Sequence, residues 1–109
     1  MVNEPGKGGN RMTREVSLLV NDQPITLDYF VQGFIDHAVG GMLSSLEGVS
    51  AIQRAEVSIE GDDVTVNLNN AHLPTNPFVS KIIRNTVLGM VSSLKGVGEA
   101  GSVRVTVQR

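Results

Sequence analysis

The chain carries its own sequence twice. Shifted by 48 positions, Glu15–Glu60 lies over Asp63–Gln108 without a gap. Phe30, Val31, Ile35, Val39, Gly41, Met42, Ser44, Ser45, Leu46, Gly48 and Val49 meet Phe78, Val79, Ile83, Val87, Gly89, Met90, Ser92, Ser93, Leu94, Gly96 and Val97. Self-similarity at a fixed period marks a repeated supersecondary unit, and one such unit is too small to bury its own apolar face. The two copies are therefore expected to share one core.

Outside that stretch the copies agree as pattern. Val16, Leu18 and Val20 alternate with more polar neighbours, as do Val64, Val66 and Leu68. Ala55, Val57 and Ile59 do the same, and so do Val103, Val105 and Val107. Period-two alternation predicts strands with one buried face. Only Leu19 breaks the polar side of the first strand. Between the strands, apolar residues recur at helical spacing. Phe30, Val31, Phe34, Ile35, Ala38, Val39, Met42, Leu43 and Leu46 form one broad stripe. Phe78, Val79, Ile82, Ile83, Val87, Met90, Val91 and Leu94 form the other. Asp28 and Asn76 are the expected N-caps, with Pro77 in the first helical position. Gly48 and Gly96 are the expected stops. Glu60-Gly61-Asp62-Asp63 joins the copies as a hairpin, with glycine where a type II′ turn needs it.

The expected order is strand 15–20, helix 28–47, strands 55–60 and 63–68, helix 76–95, strand 103–108. This β-α-β-β-α-β plan predicts an α+β, ferredoxin-like sandwich: a four-stranded antiparallel sheet with both helices on one face. The expected strand order is 103–108, 15–20, 63–68, 55–60. Residues 1–14 hold Pro5, Gly6, Gly8 and Gly9 with little to bury, and are expected to be a disordered tail before one domain, 15–109. Small residues at matched positions, Gly41 with Ser45 and Gly89 with Ser93, predict a close helix crossing there.

Asn76-Pro-Phe-Val79 and Gly89-Met-Val-Ser-Ser-Leu-Lys-Gly-Val97 resemble short prokaryotic proteins built from a single β–α–β unit. The resemblance covers each half of the chain. It implies that single-unit versions pair to build the same sheet, and it supplies no functional residues. Iron–sulfur assembly domains have a similar β-β-α-β pattern but carry a cysteine before their last helix. The matching loop His72–Pro77 has none.

Composition limits the chemistry. With no cysteine there is no thiolate catalysis and no zinc–thiolate site; a reducing cytoplasm is the expected compartment. A net charge of −2 gives no pull toward nucleic acid. No apolar run reaches the length of a membrane span. The outward sheet residues, Ser17, Leu19, Glu56, Ser58, Glu60, Thr65, Asn67, Arg104, Thr106 and Gln108, include no aromatic on which a base could stack. His37 and His72 lie in no metal-ligand spacing. Asp62-Asp63 is a turn rather than a calcium loop. Gly6-Lys-Gly-Gly9 lacks the spacing of a phosphate loop. No catalytic residue, metal site or cofactor is expected.

The copies differ most in helix charge. Asp28, Asp36 and Glu47 give the first helix −3, while Lys81, Arg84 and Lys95 give the second +3. Asp36 matches Arg84, and Gly33 and Gly40 match Lys81 and Leu88. Complementary patches set orientation and encounter rate. Gly33, Asp36, His37, Gly40, Lys81, Arg84 and Leu88 are thus candidate docking residues. The expected function is a non-enzymatic binding or assembly module that forms homo-oligomers or takes a protein partner. The alternative is a small-ligand or regulatory domain that uses the loop–helix junctions 21–28 and 69–76, where helix N-termini can hold an anion.

Overall fold

The computed structural model of the chain describes residues 15–46, 48, 49, 51–94 and 97–109. The expected tail 1–14, Glu47, Lys95 and the expected stop Gly96 lie outside the described residues. The elements are β1 (Glu15–Val20), β2 (Gln23–Pro24), α1 (Tyr29–Ser44), β3 (Arg54–Glu60), β4 (Asp63–Leu68), β5 (Ala71–His72), α2 (Pro77–Ser92) and β6 (Ser102–Gln108). The architecture is α+β, with two helices and an antiparallel sheet of six strands rather than four.

The two extra strands come from asparagine turns. Asn21 and Asp22 have φ of 51° and 64°; Asn69 and Asn70 have 52° and 67°. Two successive positive φ values are the geometry of a type I′ turn, which asparagine and aspartate tolerate. Each turn sends the chain back for two paired residues, Gln23–Pro24 on β1 and Ala71–His72 on β4. The expected loops 21–28 and 69–76 therefore begin as hairpins.

The sheet order is β2-β1-β6-β3-β4-β5. The middle is held by β6 and β3, the second long strand of each half, not by 15–20 and 63–68 as the ferredoxin-like order requires. The burial pattern follows this order. Val103, Val105 and Val107 on β6 are buried, as are Ala55, Val57 and Ile59 on β3. On β1 and β4, Val16 and Val64 are only half-buried. All four inner faces are apolar, and the two central strands are the more fully covered. Register aligns Leu18, Val105, Val57 and Val66 in one row across the sheet. Flanking rows run Val16, Val107, Ala55, Leu68 and Val20, Val103, Ile59, Val64.

Two asparagine side chains lock edge to centre. Asn21 Oδ1 accepts from Gly101 N and Ser102 N, and its Nδ2 donates to Glu99 O. Asn69 Oδ1 accepts from Gln53 N and Arg54 N, and its Nδ2 donates to Ala51 O. Every partner of Asn69 lies 48 residues before the matching partner of Asn21. Each clamp ties the edge hairpin of one half to the strand entry of the other.

The caps form as the sequence predicts. Asp28 Oδ1 accepts from Val31 N at 2.8 Å, and Asn76 Oδ1 from Val79 N at 2.8 Å. Both helices stop earlier than expected, at Ser44 and Ser92, where Ser45 and Ser93 turn the chain. Gly61 has φ +58° while Asp62 has no positive φ, as the expected II′ turn requires. Ile35, Val39 and Leu43 of α1 join Ile83, Val87 and Val91 of α2 in one core with the inner faces of all four long strands. Burying each such side chain stabilises by roughly 1.5–3 kcal/mol. Val31 and Val79 are both half-buried against that core.

The expected helix crossing does not form. A Cβ at Gly41 or at Gly89 would meet nothing within 4 Å. The helices make little contact with each other, and both glycines are exposed. Each helix instead beds separately on the sheet, its inner ridge set by the β-branched rows beneath.

Candidate interaction surface

Because the helices lie apart, their outer ridges dominate one side of the molecule. On α1 the exposed positions step through Phe30, Phe34, His37, Gly41 and Ser44. On α2 they step through Phe78, Ile82, Asn85, Gly89 and Ser92. Steps of three and four residues place each set on one helix face. In both, the bulk lies in the first two turns and small or polar residues follow. Phe30 is 75% exposed and Phe78 70%; Tyr29, Phe34 and Ile82 are exposed as well. Phe30 and Phe34 stack in a tilted pair with ring centroids 6.4 Å apart, within the range of a favourable aromatic contact.

The sequence reading assigned Phe30, Phe34, Phe78 and Ile82 to the buried stripes. A signal was available: eight apolar stripe residues on α1 make a stripe wider than one sheet contact can cover. The surplus faces solvent.

Between the helices runs an apolar groove of about 350 Å³. Phe30, Val31 and Phe34 form one wall, and Gly89, Met90 and Ser93 the other. Leu18 and Val105 of the sheet lie at its floor. The helices run antiparallel, since they follow strands of opposite direction. The bulky start of α1 therefore stands opposite the small-residue end of α2.

The docking residues named from sequence are not one surface. Asp36 is 2% exposed, and its Oδ1 accepts from Arg109 Nε at 2.9 Å. The Arg109 guanidinium lies over Gly40, which is buried, and contacts the place a Cβ would take. Asp36 and Gly40 are thus turned inward and cannot meet a partner. Arg84 Nε donates to Gly61 O at 2.7 Å, and its Nη2 lies 3.5 Å from Asp62. Asp36 and Arg84 do equivalent work with opposite charge: each ties its helix to the residues that follow a central strand. Leu88 packs half-buried on the core and Gly33 is half-buried. Only His37 and Lys81 of the seven are exposed.

Other candidate chemistry is dispersed. His37 sits on α1 and His72 on the edge strand β5. Among the described residues no group of three or more His, Cys, Asp or Glu is placed to hold a metal. At the loop–helix junctions, Asp28 and Asn76 each accept from one of the N-terminal N–H groups that an anion would use. The open sheet face carries an exposed ion pair, Arg104 to Glu56 at 3.9 Å, of the kind that contributes little. No described helix is long and apolar enough to cross a membrane. Comparison with protein-family models, with curated proteins and with solved structures gave no match.

Proposed function

We propose that this chain is a non-enzymatic binding or assembly module that works through its helix layer, by self-association or by taking a protein partner. The observation that carries this reading is a pair of exposed apolar clusters on the helix layer: Tyr29, Phe30 and Phe34 at the start of α1, and Phe78 and Ile82 at the start of α2. Together the two clusters expose on the order of 600 Å² of mainly apolar surface, divided between opposite ends of the antiparallel helix pair. The reading also treats the chain as a tandem duplication of one β–α–β unit, because side chains 48 apart share caps, turns and clamps. A cytoplasmic setting belongs to it too, resting on the cysteine-free sequence.

The test is a variant with Phe30, Phe34, Phe78 and Ile82 all changed to serine. Light scattering over a concentration series in low salt should show an assembly for the native chain and a monomer for the variant. Binding of a hydrophobic-surface dye should fall in parallel. The same mass and the same dye binding for both proteins would contradict the reading.

A further inference from the structure

We infer that the occupant of the helix face is a second copy of this chain, stacked helix layer on helix layer about a twofold axis that runs parallel to the helices. This rests on the reading that the helix face is an assembly surface.

Two observations favour a second copy. The first is area. The five exposed side chains contribute on the order of 600 Å², and the small residues between them extend the patch toward the roughly 800 Å² per partner of a standard interface. The second is shape. A twofold contact must be self-complementary, and this face is. Stacking two antiparallel helix pairs by a twofold in their plane sets every helix antiparallel to the one it covers. Phe30 and Phe34 of one copy then face the Gly89–Ser92 half of a partner helix, and Phe78 and Ile82 face Gly41–Ser44. Each bulky half meets a small half. Gly41 and Gly89, whose Cβ positions are empty within the chain, become seats for the partner's rings.

Sedimentation equilibrium of the full chain in low salt tests the inference. The expected species has twice the 11.6 kDa chain mass. Gly89→Leu, which has room in the isolated chain, should weaken the dimer at least about tenfold with an unchanged far-ultraviolet spectrum, and Phe34→Asp should do the same. A strict monomer that still binds the hydrophobic-surface dye through Phe30 and Phe34 would overturn the second copy and leave the helix-face reading standing. A dimer untouched by Gly89→Leu and Phe34→Asp would overturn both. A dimer in which F34C links to itself faster than to G89C would overturn the α1-on-α2 stacking.

Discussion

Two asparagines do more for this fold than any exposed polar residue near them. Asn21 supplies a positive φ, two accepted hydrogen bonds and one donated. Glycine there would keep the backbone and lose the clamp; alanine would lose both. Asn21→Gly should cost about 1–2 kcal/mol, on the scale of a few partly exposed hydrogen bonds. Asn21→Ala should cost a further ~1 kcal/mol for the left-handed backbone. Asn69 should behave alike. Urea unfolding measures both steps, and equal, near-zero losses for glycine and alanine would count against the clamp. Adjacent glycines give a second contrast. In dilute, monomeric protein Gly41→Ala should stabilise by about 1 kcal/mol, since helix propensity rises and nothing within the chain is in the way. Gly40→Ala should forfeit that gain, because the new methyl displaces the Arg109 guanidinium from Asp36. In an Arg109→Ala background the two alanines should become equivalent. A double-mutant cycle showing no coupling between positions 40 and 109 would refute this account.

At the scale of elements, the sheet has an unambiguous middle. Amide hydrogen exchange should be slowest in β6 and β3 and faster in β1 and β4, since local opening starts where cover is thinnest. Slowest exchange in 15–20 and 63–68 would instead support the ferredoxin-like order. Alternation in the sequence makes the inward residues legible: Leu18, Val57, Val66 and Val105 are all buried as predicted. The N-caps are legible because Asp28 and Asn76 precede the apolar runs. Strand order is harder to read, because both arrangements bury the same faces and periodicity is indifferent to which strand lies between two others. The edge hairpins were also written in the sequence, as Asn21-Asp22 and Asn69-Asn70, residue pairs that accept two positive φ values. The predicted helix crossing misread Gly41 and Gly89, because a glycine permits close approach without requiring it. Candidate docking residues chosen by charge failed at Asp36 for a related reason: repeat comparison locates a charge but not the direction its side chain takes.

For the molecule as a whole, one side is a polar sheet face and the other an apolar helix face. The sheet buries its inner residues beneath the helices, and the chain has more apolar helix surface than one sheet can cover. That surplus is the physical basis for assembly. The cysteine-free sequence allows a direct measurement. Protein bearing F34C is mixed with protein bearing G89C and exposed to mild oxidant, so that any mixed link must join two chains. The account predicts that the mixed disulfide forms faster than the self-link of either variant. Self-links that equal or exceed it, or no link at all at high concentration, would contradict the stacking of α1 on the partner's α2.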